Sequence, residues 1–321
     1  MNLSNEIQLV CPIDHGELVE TENSLITCNK CGAEYRRENN IYFVLPRDKK
    51  AESLDNESYD YWNGGIPGTL DYGYQKDDVS AVVNSREWFL EGDAFRYRQY
   101  PNLERFADFS SFKGKKLLDI GPGRGQESHN YIENGADVTV LEYVEQGVRL
   151  VEKRRDLFKL SFPIIQGTAT DLPFEEGEFD AVFSYGVLHH IPDMKKSIRE
   201  VARVLKEGGT AKIMLYKKGY FYYAIMMVQW YLFKFKFLKY SWSDYIKIAM
   251  EQREGPCPVV YIQSMKEILQ LCEEANLKVE HYFNAEVIDG RLVRMGIIPK
   301  WFIHRFQNHL GAYCHLTLSK L

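Results

Sequence analysis

The chain has 321 residues, of which 45% are hydrophobic and 26% are charged, and these proportions exclude extensive disorder. Its formal net charge of -5 excludes a protein that is basic overall, so any surface that binds nucleic acid must be local. Six cysteines, two of them in a C-x-x-C pair, favour a reducing compartment over a disulfide framework.

The N-terminal residues and the length of the apolar runs indicate where in the cell the protein is expected. The first residues contain neither a basic segment nor a long apolar core, so no signal peptide is expected. The longest apolar run without a charge, residues 220–233, is shorter than the roughly 20 residues that a membrane-spanning helix needs. We therefore predict a cytoplasmic protein without a transmembrane segment.

Residues 1–46 predict a small β ribbon that binds zinc. Cys11 begins one turn, C-P-I-D-H-G, and Cys28 and Cys31 frame a second, C-N-K-C-G, with a hairpin-like stretch between them. A zinc ion held by such turns could fold a segment that is too small to bury its own core. Asp14 stands where a zinc ribbon has its next cysteine, so the fourth ligand is His15 or Asp14. A degenerate ribbon that binds no metal is the alternative.

The segment that follows predicts a linker and a cap. Residues 35–46, Y-R-R-E-N-N-I-Y-F-V-L-P, resemble the end of Trm112-like zinc-binding domains, which places a boundary near residue 46. Residues 47–112 contain a G-G-I-P-G loop and many aromatic side chains, and we expect a linker and a helical cap there. Simple packing on a sheet is the alternative for most of these aromatics. Arg96 and Arg98 are candidates to bind a carboxylate.

The next segment, residues 116–125, reads K-L-L-D-I-G-P-G-R-G and predicts a cofactor-binding strand and turn. Beyond it, strands at 137–142, 163–167, 179–185 and 210–216 alternate with helices. This alternation predicts a doubly wound, mostly parallel α/β sheet with helices on both faces. Ligands of such sheets bind beyond the carboxyl ends of the strands.

Residues suited to an adenosine-containing cofactor follow four successive strands. Glycines after the first strand let the backbone approach the ligand, and Glu142 at the end of the second has two oxygens that suit the ribose hydroxyls. Each feature is common alone, but four at successive strand ends are not. The predicted cofactor residues are Asp119, Gly121, Gly123, Gly125, Glu142, Thr170, Asp171, Leu172 and Ser184.

The glycine turn is G-x-G-x-G, which resembles motif I of class I methyltransferases that use S-adenosylmethionine (SAM). Four further segments are similar to the UbiE-like, type 11 group: D-L-P-F at 171–174, F-D-A-V at 179–182, V-L-H-H-I-P-D at 187–193 and E-V-A-R-V-L-K-E-G-G at 200–209. The resemblance covers about residues 113–216. It implies a seven-stranded Rossmann-like sheet over residues 113–321, SAM binding with Asp171 facing the adenine amino group, and methyl transfer.

The acceptor implied is a small molecule or a carrier-bound metabolite, with S-adenosylhomocysteine (SAH) released. Candidate catalytic residues are Tyr185, His189 and His190, because methyl group and acceptor meet after the fourth strand and a histidine could take a proton there. Packing or positioning is the alternative for both histidines. Methyl transfer from a sulfonium depends chiefly on alignment.

An aromatic and basic insert follows at about residues 217–260. Between residues 215 and 240 it carries five lysines and no acidic residue. This composition admits a lid over an apolar acceptor, a hairpin packed on the domain or a second subunit, a contact with a membrane surface, or a platform for single-stranded RNA. A helix at 264–277 and strands at 278–283 and 313–319 are expected to complete the sheet.

Three rival functions stay open at this point. Methylation of an rRNA or tRNA base keeps the chemistry and changes the acceptor, although the acidic net charge disfavours it. A nicotinamide oxidoreductase is disfavoured because the turn is G-x-G-x-G rather than G-x-G-x-x-G. A non-catalytic SAM-binding subunit is disfavoured because Asp119, Glu142 and Asp171 are all present. The sequence does not predict an oligomeric state.

Overall fold

The computed structural model describes residues 7–20, 24–45, 53–63, 85–219, 223–224, 227–232, 235–251, 257–285, 301, 305–306 and 311–321. The predicted boundary at residue 46 and the predicted loop at 64–68 lie outside these ranges. All strands of the described residues belong to one mixed sheet.

Seven strands form the predicted Rossmann-like part of this sheet, which confirms the fold class. They run in the order β7-β6-β5-β8-β9-β11-β10. The first five in chain order are parallel, and β11 pairs antiparallel with both β9 and β10. The strands are β5 (Lys116–Ile120), β6 (Asp137–Glu142), β7 (Ile164–Gln166), β8 (Phe179–Tyr185), β9 (Leu205–Tyr216), β10 (Leu277–Ala285) and β11 (Tyr313–Lys320).

The N-terminal ribbon continues this sheet. Its four antiparallel strands are β1 (Leu18–Glu20), β2 (Leu25–Cys28), β3 (Glu34–Glu38) and β4 (Ile41–Phe43). Strand β4 pairs in parallel with β7, with Ile41 opposite Ile164, so the whole sheet has 11 strands. Cys11, Tyr35 and Val44 pack in the same buried cluster as Leu172. The ribbon therefore covers an edge of the larger sheet that would otherwise expose unpaired backbone groups.

Eight α-helices flank the sheet in the described ranges. Helix α6 buries Ile198 and Val201 on one face, as its amphipathic sequence requires, and α8 begins with a capping box between Ser264 and Glu267. No helix there combines the length and apolarity that crossing a bilayer requires. The helices are α1 (Ser53–Asn63), α2 (Arg86–Gln99), α3 (Leu103–Ala107), α4 (Gln126–Glu133), α5 (Glu145–Phe158), α6 (Met194–Val204), α7 (Trp242–Glu251) and α8 (Met265–Glu274).

A buried ion pair fixes α2 above the carboxyl ends of the strands. The guanidinium of Arg154, on α5, is fully buried and donates to both carboxylate oxygens of Asp93 on α2, at 3.0 and 2.5 Å. The same guanidinium lies 4.7 Å from the centre of the Phe89 ring. Because breaking a buried ion pair leaves an uncompensated charge, this contact holds the cap in one position.

Candidate active site

A cavity of about 280 Å³ opens at the carboxyl ends of β5, β6, β8 and β9. Its floor is the glycine turn, and its roof comes from α1 and α2, which lie between β4 and β5 in sequence. This is the position at which doubly wound sheets bind ligands. The lining residues are 120–124, 141–144, 168–170, 185–187, 190–192, Ser58, Trp62, Phe95, Arg96, Gln99, Tyr100, Gln126, Met214, Tyr216 and Tyr313.

The glycine turn needs its glycines for conformation and for space. Gly121, Gly123 and Gly125 have φ of +69°, +59° and +72°, in the left-handed region that favours glycine. A Cβ atom on Gly121 would lie 2.5 Å from a methyl carbon of Val187. The turn therefore presents bare backbone to the cavity at Gly121 and Gly123, whereas Gly125 begins α4 behind it.

Glu142 places a carboxyl group at the cavity wall. Its Oε1 accepts hydrogen bonds from the backbone N–H groups of Tyr143 at 2.8 Å and Val144 at 3.1 Å. Gly147 makes room for it, because a Cβ atom there would lie 2.7 Å from the carboxyl carbon. Burial raises the pKa of Glu142 to about 7, against the effect of these N–H donors. The chain thus holds an acceptor group in a fixed orientation at a cost in stability.

That cost gives a pH-dependent prediction for Glu142→Gln. Since the folded pKa of about 7 exceeds the ordinary 4.5, the folded chain binds this proton more tightly, and its stability falls as pH rises through that window. Glutamine does not titrate, so the variant lacks this pH dependence. The unfolding free energy of Glu142→Gln, relative to that of wild type, should therefore rise by on the order of 2–3 kcal/mol from pH 5 to pH 8. Urea denaturation at both pH values measures it. Glu207→Gln, at an exposed position, is the control, and a parallel response of Glu142→Gln and wild type would contradict the prediction.

The loop after β7 contributes Thr170 to the cavity but not the two residues that follow. Asp171 accepts from Lys196 at 2.6 Å and from the Thr170 hydroxyl at 2.9 Å. Leu172 is fully buried, and its N–H donates to Glu200. In this structure Asp171 and Leu172 support the loop from behind, while residues 168–170 face the cavity.

Asp119 and Ser184 lie beneath the cavity floor. The carboxylate of Asp119 accepts from the Ser128 hydroxyl at 2.5 Å, and burial raises its pKa to about 7. Ser184 donates to the carbonyl oxygen of Ile120 at 3.2 Å. Both side chains tie the glycine turn to its neighbours and neither lines the cavity.

Two of the three catalytic candidates reach the cavity. The Tyr185 hydroxyl lies 3.2 Å from Nε2 of His315, and His190 Nδ1 lies 3.0 Å from the carbonyl oxygen of Val259. His189 is fully buried against the Tyr216 ring, with ring centres 3.8 Å apart. Burial lowers the pKa of His189 well below its ordinary value, so the ring is neutral. His189 is also not among the residues that line the cavity.

Aromatic rings also line the cavity, and among them only Tyr185 was a site candidate in the sequence. Tyr216 and Tyr313 stack with ring centres 5.0 Å apart, and Trp62 packs on His190 at 4.8 Å. We define the aromatic wall as Trp62, Tyr100, Tyr185, Tyr216 and Tyr313. Of these five, Tyr185 was already a catalytic candidate in the sequence and Tyr216 ends β9 at the predicted ligand-binding edge, but their grouping with the other three rings was not predicted.

Arg96 adds a charge beside this wall. Its guanidinium donates to Glu127 at 2.8 Å and lies over the Tyr185 ring, 5.2 Å from the ring centre. The side chain lines the cavity, while Arg98, the other candidate for binding a carboxylate, is not among the lining residues.

The ribbon brings a second group of polar atoms together. Ligand atoms of Cys11, Asp14, Cys28 and Cys31 all lie within 4.8 Å of one another. Asp14 takes the fourth place, rather than His15, because its Oδ1 accepts from the Gly16 N–H at 2.9 Å and so turns towards Cys28. The His15 side chain is exposed. Of the two fourth ligands considered from sequence, the structure brings Asp14 into the group.

Residues 118–213 match the family model described as a methyltransferase domain, of type 11. This part of the chain is therefore similar to methyltransferase domains, in agreement with the sequence motifs. The match covers the glycine turn, Glu142 and the loop after β7.

Curated relatives agree with this match. The chain is 32% identical over 143 residues to a fatty-acid O-methyltransferase of Mycolicibacterium smegmatis, covering 44% of this chain and 49% of the relative. It is 39% identical over 97 residues to a demethylmenaquinone methyltransferase of Renibacterium salmoninarum, covering 30% of this chain and 39% of the relative. The chain thus spans half or less of the length of these two relatives.

Among solved structures, the fold is similar to geranyl diphosphate C-methyltransferase of Streptomyces coelicolor A3(2), in complex with Mg²⁺, geranyl-S-thiolodiphosphate and SAH. The TM-score is 0.57 at 15% identity, covering 84% of this chain and 99% of the other. Identity at this level supports the fold alone.

Proposed function

We propose that the chain is a SAM-dependent methyltransferase that methylates an apolar, lipid-like small molecule and releases SAH. The observation that carries the proposal is one cavity that is lined both by a glycine turn with a fixed carboxyl group and by an aromatic wall. The match of residues 118–213 to a methyltransferase domain supports it.

The polar side of the cavity fits the cofactor. Gly121 and Gly123 line the cavity without side chains, so a ligand can pack closely on their backbone, and Glu142 can accept hydrogen bonds from two ribose hydroxyls. Residues 168–170 offer backbone and hydroxyl groups near the position expected for the adenine. Bound SAM supplies an electrophilic methyl group on a positively charged sulfur. Arg96, already paired with Glu127, lines the cavity beside the aromatic wall, and its guanidinium can bind a carboxylate of the ligand.

The aromatic side fits the acceptor. Five aromatic rings exclude water and offer flat faces to an apolar molecule. Such a wall positions the acceptor atom for an in-line approach, which is the main requirement of the reaction.

We place His190, rather than His189, as the residue that takes a proton where the acceptor must lose one. Its Nδ1 is within hydrogen-bonding distance of a carbonyl oxygen, so in the neutral ring the proton lies on Nδ1 and Nε2 is the basic nitrogen. Tyr185 has a neutral neighbour in His315, since burial lowers the pKa of that histidine to about 3. Tyr185 therefore orients the acceptor as a hydrogen-bonding group.

The names of the relatives support a lipid-like acceptor for this chain. They include enzymes named for fatty acids, demethylmenaquinone and phthiotriol dimycocerosates. The aromatic wall is compatible with such molecules because its rings are apolar over most of their surface.

The test is SAH release from SAM with a panel of a fatty acid, a prenylated quinol, a short polar phenol and unmodified tRNA. We expect turnover with at least one apolar member, and a loss of at least about tenfold in kcat/KM in Tyr216→Leu. Tyr282→Leu, on the exposed face of β10, is the matched control. Turnover with tRNA alone would overturn the acceptor class while leaving the cofactor assignment intact.

We also propose that Cys11, Asp14, Cys28 and Cys31 bind a structural zinc ion. Zn–S distances of about 2.3 Å in a tetrahedron put sulfur atoms roughly 3.8 Å apart. Cys11 Sγ and Cys31 Sγ are 3.7 Å apart, and Cys28 Sγ lies 3.4 Å from Asp14 Oδ1, which suits a shorter Zn–O bond. The spacing of the donor atoms thus fits a tetrahedral zinc site.

The proposed zinc site is joined to the cofactor cavity through the loop after β7. The Val10 N–H, next to Cys11, donates to the Pro173 carbonyl oxygen at 3.0 Å, and Leu9 forms a bridge with Phe174. These contacts are only a few residues from Thr170 in the cavity lining. Metal binding should therefore support cofactor binding as well as the ribbon itself.

A further inference from the structure

The insert after β9 exposes a short run of apolar and basic side chains. Phe235, Phe237 and Leu238 are 64%, 44% and 76% exposed, which is unusual for side chains of this size. Lys236 and Lys239 are exposed beside them. We call residues 235–239 the exposed tip. Contiguous exposed apolar groups of this kind mark interaction sites rather than folding determinants.

The backbone of the tip adds a second cost. Phe235 has φ of +52° and ψ of +29°, in the left-handed region, where the backbone of a residue with a bulky side chain is strained. Its ring touches Phe237, with centres 6.0 Å apart, and is otherwise mostly exposed. Within the described residues, folding thus gains little from this strain, and a partner outside the chain can account for it.

The residues below the tip pack on one another and hold the tip in place. Tyr231 lies 5.2 Å from Trp242 and 5.6 Å from Tyr245, between ring centres. Tyr245 is buried. The aromatic groups below the tip therefore pack on one another and on Phe237, whose ring centre lies 6.1 Å from that of Tyr231, whereas Phe235 and Leu238 are the more exposed side chains of the tip.

The arms of the insert end on the wall of the cavity. The Lys218 N–H donates to the Gln263 carbonyl at 2.8 Å, next to Tyr216 at the cavity edge. On the returning arm, the Tyr261 N–H donates to the His189 carbonyl oxygen at 2.8 Å. The Tyr261 hydroxyl donates to the Pro192 carbonyl oxygen at 2.7 Å. Both ends of the insert are thus held by hydrogen bonds at the acceptor side of the cavity.

We propose that the exposed tip docks on the surface of an anionic lipid bilayer, with Phe235, Phe237 and Leu238 in the headgroup region. Charge complementarity supports this partner, because Lys236 and Lys239 are exposed at the tip and residues 215–240 contain no acidic residue, although the whole chain is acidic. Docking itself does not depend on the proposed function. Its use, the passage of a lipid-like acceptor from the bilayer to the cavity, rests on that function.

The test is flotation of the full-length protein with vesicles at about 0.15 M salt. We expect flotation with phosphatidylcholine vesicles that contain about one-third phosphatidylglycerol, and little with phosphatidylcholine alone. Phe235→Ser with Leu238→Ser, and separately Lys236→Glu with Lys239→Glu, should each weaken vesicle binding by about tenfold or more. Leu269→Ser, at an exposed leucine on α8, is the matched control and should float like wild type.

Several results would overturn the proposal. Wild type that stays unbound, or tip variants that float as well as wild type, would show that the tip does not dock on lipid. Self-association in sedimentation that the serine variant abolishes, without flotation of wild type, would assign the tip to a second copy of the chain. Binding of single-stranded RNA that the glutamate variant abolishes, again without flotation, would assign it to RNA. SAH titration of the same variants separates these outcomes from failure of the proposed function.

Discussion

Replacement of Cys28 by serine should remove a bound zinc ion and lower the Tm by at least about 5 °C, because a buried ligand of a structural metal contributes several kcal/mol. Cys28 is 1% exposed and lies within the group, close to Asp14 and three residues before Cys31 along the turn. The loss should also weaken SAH binding, since the ribbon supports the loop after β7 through Val10 and Pro173.

Metal analysis of the purified protein, together with thermal melting, measures this effect. The expected zinc content is about one ion per chain for wild type and well below that for the variant. Cys272→Ser is the matched control, because Cys272 is equally buried but lies on α8, outside the group. Wild type without zinc after purification in the presence of zinc would contradict the proposed metal site and leave the cofactor site unaffected.

Glu142→Ala should weaken SAH binding by about 1.5–3 kcal/mol, which is about tenfold to more than a hundredfold in Kd. The substitution removes the group that would accept from both ribose hydroxyls. Glu142→Gln keeps an oxygen for the N–H groups of Tyr143 and Val144, so it separates loss of ligand contacts from disturbance of the loop. Glu207→Ala, at an exposed glutamate, should bind SAH like wild type.

Much of the fold followed from local sequence patterns. The strands at 137–142 and 179–185 match β6 and β8 residue for residue, and most other boundaries differ by one or two residues. Parallel strands that are buried on both faces appear in the sequence as continuous apolar runs, and glycines often follow them. Both the strands and the ligand-binding edge of the sheet could therefore be predicted. Strand β9 is longer than expected because it begins at Leu205 and includes Gly208 and Gly209.

Other features depend on contacts between segments that are distant in sequence. The pairing of β4 with β7 joins residues more than a hundred positions apart, and nothing in the ribbon sequence specifies its partner strand. The aromatic wall likewise combines Trp62 and Tyr100 from the cap with Tyr313 from the last strand. Choosing Asp14 over His15 required the turn geometry set by Gly16, which spacing alone does not provide.

The same limit applies to the cofactor residues chosen from sequence. Gly121, Gly123, Glu142 and Thr170 line the cavity, because each lies in a turn at a strand end. Asp119 has the right spacing, yet its carboxylate turns to Ser128 behind the floor. The position of a residue along a strand predicts whether it lies at the ligand-binding edge of the sheet. The direction of its side chain, however, depends on the neighbouring side chains that it contacts.

The most direct test of the central claim is calorimetric titration of the wild-type protein with SAH, beside Glu142→Ala. We expect one SAH to bind per chain, with affinity at least about tenfold weaker in the variant. Absence of binding to the wild type, measured on protein with its zinc content verified, would contradict the assignment of the glycine turn and Glu142 to SAM. Equal affinity of wild type and variant would place the ligand elsewhere in the chain.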